Sequence, residues 1–146
     1  MSVQMEAQNP AVEILRRVRW LDAEIDGKLE QIERWRALAE RSTTSYASSS
    51  GSVSPASDSR MNIADKIVDA EQEINIEIDQ LVELKNKARA IIAGVPDARM
   101  RLILEMRYVN GARWGEIADA SHYTERNVYR LHKAALKVVS ECHPEM

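Results

Sequence analysis

The segment from Thr124 to Val139 carries side chains that can recognise a polyanion. It contains four lysines and arginines against one glutamate. Arginine can pair with guanine through two hydrogen bonds, asparagine can pair with adenine, glutamate can accept a bond from cytosine, and lysine can hold phosphates. The candidate contacts to double-stranded DNA are Thr124, Glu125, Arg126, Asn127, Arg130, Lys133 and Lys137.

The apolar residues of the same segment predict a helix. Val128, Leu131, Ala135 and Val139 recur at spacings of three and four, which places them on one face and the charged side chains opposite. Thr124 is a favourable N-cap, and the backbone amides at this helix start can hold one more phosphate. An ordinary solvated amphipathic helix is the alternative interpretation of the charges.

The residues before Thr124 favour the DNA-binding interpretation. A short helix at about 113–120 contains Ile117-Ala118, where a small side chain lets a second helix cross closely. Tyr123 is expected to fill the turn from the core side. His122 takes the left-handed position that usually holds glycine, and histidine tolerates that conformation.

A further helix is predicted before this pair. Residues 97–108 carry apolar side chains on one face, and Asn110-Gly111 supplies turn residues where that helix should end. The three helices together predict a helix-turn-helix domain over residues 95–146.

Two long helices must position this domain. Apolar residues at three/four spacing predict helices at about 10–41 and 61–93. Residues 42–59 between them include nine serines, a composition that predicts a flexible connector. The expected fold is all-α, with residues 1–94 forming a long antiparallel, coiled-coil-like helical hairpin.

One charged residue interrupts each apolar seam, Lys28 in the first helix and Glu77 in the second. If the helices fold back about residue 51, Lys28 lies roughly one turn from Glu77. We expect either an ion pair that sets the hairpin register or two side chains that reach solvent separately.

Composition limits the other classes of function. The net charge of −3 argues against a general polyanion binder, so contact with DNA must come from local charge. One cysteine, Cys142, excludes an internal disulfide. The sequence shows no signal peptide and no membrane-length apolar run, so a cytoplasmic protein without a membrane partner is expected.

No catalytic motif is recognisable, so we expect no enzymatic activity and no cofactor. The three histidines and Cys142 lack the paired short spacings of a zinc site, so no metal is expected. His132 is expected at the edge of the packed face of its helix.

The stretch LILEMRYVNGARWGEIADASHYTERNVYRLHKAALKVV resembles region 4 of bacterial sigma-70-type factors, over about residues 97–139. The whole chain resembles small phage and prophage regulators such as the ArpU-type late-gene controllers. The resemblance implies base-reading positions at Glu125, Arg126 and Arg130, with Asn127 and Lys133 as flanking contacts. Several of these side chains differ from the sigma pattern, so the target need not be a consensus promoter element.

The expected function is a DNA-binding transcriptional regulator whose helical arm forms homo-oligomers or contacts RNA polymerase. A second interpretation is a phage DNA-packaging component similar to a small terminase. A third is a coiled-coil interaction protein that does not bind DNA.

Overall fold

The computed structural model describes residues 9–48 and 55–144, and this part of the chain is all-α, without a strand. None of its helices combines the length and the apolar character needed to cross a membrane. The helices are α1 (Pro10–Ser48), α2 (Pro55–Ala93), α3 (Ala98–Leu104), α4 (Trp114–Ser121) and α5 (Glu125–Cys142), with a π-helical turn at Glu105–Val109 directly after α3.

The two long helices extend into the predicted connector at residues 42–59. Helix α1 continues to Ser48, and α2 already begins at Pro55. Serine costs a helix only about 0.5 kcal/mol relative to alanine, so a serine-rich composition alone does not end one, while proline is favoured at a first helical position. Residues 49–54 of the predicted connector lie outside the described residues.

The described chain divides into two compact units, and the division does not fall at the predicted boundary between residues 94 and 95. The terminal unit contains residues 9–22 and 80–144. The middle unit contains residues 23–48 and 55–79. The ends of both long helices therefore belong with the short C-terminal helices.

In the terminal unit, α1 buries a wider face than the predicted seam. The three/four spacing places Ala11, Ile14 and Val18 on the predicted seam. Val12 and Leu15, which lie off that seam, are fully buried, whereas Ile14 is only partly buried. A helix packed among several others needs a broad apolar face, while a two-helix seam is narrow. The sequence pattern assumed a single partner helix.

Asn9 joins the start of α1 to the end of α5. Its Oδ1 accepts hydrogen bonds from the backbone N–H groups of Ala11 and Val12, at 3.0 and 3.2 Å. Its Nδ2 donates to the carbonyl oxygens of His143 and Ser140, at 2.8 and 3.4 Å. One side chain thus caps both helix ends within the terminal unit.

In the middle unit, ion pairs connect α1 and α2. Lys28 Nζ pairs with Glu77 Oε1 and lies 3.4 Å from Glu73 Oε2. Arg36 Nη2 lies 2.7 Å from Glu71 Oε1. From Lys28 to Arg36 along α1, the partner on α2 changes from Glu77 back to Glu71. This is the order expected of antiparallel helices. Of the two arrangements expected for Lys28 and Glu77, the structure shows the ion pair.

Glu77 depends on Lys28 for its charge compensation. Its side chain is 16% exposed, and its Oε2 is buried without a hydrogen-bond partner. The hydrogen bond from Lys28 to Glu77 also raises the pKa of the lysine above its usual value. Removing the lysine would leave a half-buried carboxylate without a cation, which is costly.

Charge reversal tests this dependence. Lys28→Glu or Glu77→Lys alone should lower the thermal unfolding midpoint, because each places like charges together beside the buried seam. The double swap should recover most of the loss. The matched control is the exposed Arg36–Glu71 pair, whose reversal should have a smaller effect, since exposed pairs contribute little. A double swap no better than either single swap would contradict the pairing.

Candidate nucleic-acid interface

The turn between α4 and α5 is built around a left-handed residue. His122 has φ 61° and ψ 28°, so the predicted left-handed position is confirmed. The backbone N–H of Tyr123 donates to the carbonyl of Ala118 at 3.1 Å. The Ser121 hydroxyl donates to the carbonyl of Ile117 at 2.7 Å. The last carbonyls of α4 are thereby satisfied within the turn.

Thr124 begins α5 as predicted. Its hydroxyl accepts a hydrogen bond from the backbone N–H of Asn127 at 3.2 Å, and its own backbone is extended. This is the geometry of an N-cap. It fixes the direction in which α5 leaves the turn.

A shared apolar core holds α4 and α5 together. Val128 is fully buried, as are Ile103 and Ile117, and Tyr123 packs against them from the turn. The apolar residues predicted for the inner face of α5 are all buried: Val128, Leu131, Ala135 and Val139. The core cluster consists of Ile103, Ala112, Ile117, Ala118, Val128 and Leu131, with Met106, Trp114 and Tyr123 packed around it.

The face of α5 opposite this core carries the predicted basic residues. Arg126, Arg130, Lys133 and Lys137 are exposed and follow each other at i, i+4, i+7 and i+11, so they form one line along the helix. We call these four residues the basic stripe. No carboxylate of the described residues lies within 4.0 Å of them. Their charges are therefore available to a ligand.

Within the stripe, Arg130 is oriented by Asn127. The Asn127 Oδ1 accepts hydrogen bonds from Arg130 Nη2 and Nε, at 2.8 and 3.2 Å. The arginine is thereby ordered before any ligand arrives. Direct pairing of Asn127 with adenine would require this bond to open, so its structural role is to position Arg130.

Glu125 is not part of the stripe. A methyl group added at Gly115 would lie 3.2 Å from Glu125 Oε1, so this carboxylate faces the first turn of α4. An acidic side chain is favourable near a helix N-terminus. Of the three base-reading positions that the resemblance implies, the structure brings Arg126 and Arg130 together and places Glu125 beside α4.

An aromatic cluster flanks the stripe, and the sequence analysis missed it. The Trp114 ring lies 4.6 Å from that of Tyr129 and 4.7 Å from that of His132, between centroids. The Tyr108 hydroxyl and His132 Nε2 share a hydrogen bond of 2.7 Å. The guanidinium carbon of Arg107 lies 3.9 Å from the Trp114 ring centroid. The sequence does place aromatic residues at the edge of each helix. It does not show that they contact each other, because the partners are distant in sequence.

The π-helical turn supplies two members of this cluster. The N–H of Asn110 donates to the carbonyl of Glu105 at 3.0 Å, and the N–H of Ala112 donates to that of Met106 at 2.9 Å. Gly111 has φ 69°, which suits glycine and confirms the predicted turn. Arg107 and Tyr108 lie within the π-helical turn. Such turns are common at functional sites.

Burial and nearby arginines set the protonation of the cluster. Burial, followed by the charges of Arg107 and Arg16, lowers the pKa of His132 to about 4. Burial also raises the pKa of the Tyr108 hydroxyl. His132 is therefore a neutral structural residue, at the edge of the packed face where it was predicted.

The described residues contain no group of histidine, cysteine and carboxylate side chains that could hold a metal ion. Comparisons with protein-family models, curated proteins and solved structures found no match for this chain.

The low pKa of His132 predicts a pH-dependent stability. Because the folded pKa of about 4 lies below the unfolded value of 6.5, acidification between these values favours unfolding. The neutral His132 makes its full contribution to the free energy of unfolding above pH 6.5. Between pH 6.5 and pH 4 that free energy decreases by on the order of 3 kcal/mol. Denaturant unfolding at pH 7 and 4.5 should show a smaller loss for His132→Gln than for the native chain. His122→Asn, a matched change at an exposed histidine, should keep the full loss; equal losses in all three proteins would contradict the assignment.

Proposed function

We propose that this chain binds double-stranded DNA sequence-specifically as a transcriptional regulator of the phage or prophage type. Helices α4 and α5 act as a helix-turn-helix, with α5 as the recognition helix in the major groove. The observation that carries the proposal is the basic stripe, which lies exposed opposite a fully buried core on a capped helix. The 18 residues of α5 give a helix about 27 Å long, and an α-helix, about 10–12 Å across, fits the major groove.

The roles of the side chains follow from their positions. Arg126 and Arg130 lie near the N-terminal end of α5, the end that reaches base edges in helix-turn-helix proteins. Lys133 and Lys137 lie farther along and bind phosphates. Asn127 positions Arg130, and Thr124 caps the helix so that its first amides face a phosphate.

The remainder of the long helices forms a helical hairpin that makes homo-oligomers or contacts RNA polymerase. The middle unit leaves large apolar side chains exposed, and those of Ile76 and Val68 are more than half exposed. Such side chains support association with another protein surface. A promoter as the DNA target follows from the resemblance of residues 97–139 to sigma region 4.

DNA packaging, as in small terminases, is the second candidate function. The same exposed apolar residues favour it, because a packaging ring also needs contacts between subunits. Light scattering separates the two: a dimer supports the regulator, whereas a ring of eight to twelve subunits supports packaging.

Selection of bound duplexes from a random pool tests sequence-specific binding. The native chain should enrich one motif at moderate salt. Arg126→Ala and Arg130→Ala should each weaken binding to that motif by roughly 5- to 150-fold, the effect of one bidentate base contact. Arg17→Ala is the matched control, because Arg17 is an exposed arginine remote from the stripe in sequence.

The proposal fails if no sequence is enriched and the two stripe variants bind like the control. Enrichment that survives both stripe substitutions would instead show that another surface reads the DNA.

A further inference from the structure

A line of side-chain contacts leads from the basic stripe across the terminal unit. Tyr129 lies on α5 between Arg126 and Arg130 and is 47% exposed. Its ring contacts Trp114 at the start of α4, and Trp114 in turn carries the guanidinium of Arg107 on its face. The stripe is therefore continuous with the surface around Arg107.

Two arginines of α1 extend this surface. Arg19 Nη1 donates to the carbonyl oxygen of Arg107 at 3.1 Å. Arg16 is exposed one turn earlier on α1, and its charge acts on both Tyr108 and His132. Arg16, Arg19 and Arg107 thus lie around one part of the terminal unit. We call these three residues the second basic surface.

None of the described carboxylates forms an ion pair with the second basic surface. Among the described residues, no carboxylate lies within 4.0 Å of any of the three guanidinium groups. Asp22, one turn after Arg19, has its Oδ2 within 3.0 Å of the place that a Gly111 side chain would take. Glu13, one turn before Arg16, shares a surface depression with Arg16 and Arg17 but pairs with neither.

Positive charge is crowded around Arg107. Burial, together with the charge of Arg19, lowers the pKa of Arg107 below its ordinary value. Like charges held close without a carboxylate destabilise one another, and a bound anion removes that cost.

The Arg107 guanidinium is held in place, as a group that binds an anion should be. Its guanidinium stacks on Trp114, and its Nη1 donates to the carbonyl of Ala112 at 3.2 Å. The other N–H groups of this planar fork have no partner among the described residues. A guanidinium held this way is preorganised for a phosphate oxygen.

We propose that Arg16, Arg19 and Arg107 bind backbone phosphates of the same DNA duplex, beside the groove that α5 enters. This inference rests on the proposed function. The ligand is the phosphate backbone, because these side chains lie on α1 and in the π-helical turn and not on the helix that reads base edges. The start of α1 thereby becomes part of the DNA-binding surface, so the binding unit begins before residue 95.

The salt dependence of binding tests the second basic surface. Fluorescence anisotropy measures the affinity of the full chain for its enriched duplex and for an unrelated duplex, at salt concentrations from roughly 0.05 to 0.3 M. Arg16→Gln and Arg19→Gln should each reduce the slope of log K against log salt by about 0.9, the loss of one phosphate contact. At 0.1 M salt this corresponds to roughly eightfold weaker binding, by the same factor on both duplexes.

Arg17→Gln is the matched control for net charge. Arg17 follows Arg16 directly but lies about 100° around α1, so its loss should leave the slope near that of the native chain. Arg16 makes no hydrogen bond in the described structure, so its substitution keeps the fold, which circular dichroism verifies.

The outcomes separate this inference from the proposed function. If the native chain binds its motif but Arg16→Gln and Arg19→Gln match Arg17→Gln in slope and affinity, the second basic surface is refuted and the regulator survives. A loss that is equally large for Arg17→Gln also refutes it, because the effect is then one of net charge. If the native chain binds neither duplex, the proposed function itself fails.

Discussion

Packing of Val128 against Ile117 is the constraint on which the candidate interface depends. Both side chains are fully buried, and burying one such residue contributes roughly 1.5–3 kcal/mol. This contact, with Leu131 beside it, sets the rotation of α5 about its own axis. A rotation of one residue would turn the stripe by about 100° and bury charge. The left-handed His122 and the Thr124 cap also fix the orientation in which α5 packs on the core.

The orientation of α5 also determines where this acidic protein exposes unpaired positive charge. With a net charge of −3, the chain can attract a polyanion only where positive side chains are concentrated and unpaired. Glu71, Glu73 and Glu77 of the middle unit form ion pairs with Lys28 and Arg36, whereas the stripe has no such partners among the described residues. The charges that hold the long helices together are thus separate from those that are free to bind a ligand.

The sequence predicted features whose causes are local. The cap at Thr124, the left-handed His122 and the periodic helices depend on neighbouring residues. The spacing of the interruptions along the two seams gave the Lys28–Glu77 pair as one of two alternatives. Features with distant causes were missed. The aromatic cluster joins Tyr108 to His132, the contact of Arg19 with Arg107 spans 88 positions, and Glu125 turns towards Gly115 because α4 packs there. Periodicity reports which face is apolar but not which helix covers it, so the wider buried face of α1 was also missed.

Nuclear magnetic resonance of the full chain, titrated with its enriched duplex, tests the central claim most directly. Backbone amide shifts locate the surface that DNA contacts without any substitution. The account predicts the largest changes on the exposed face of α5, at Arg126, Arg130, Lys133 and Lys137, with small changes at residues 23–79. Changes confined to residues 23–79, or none on α5 at saturating duplex, would contradict it.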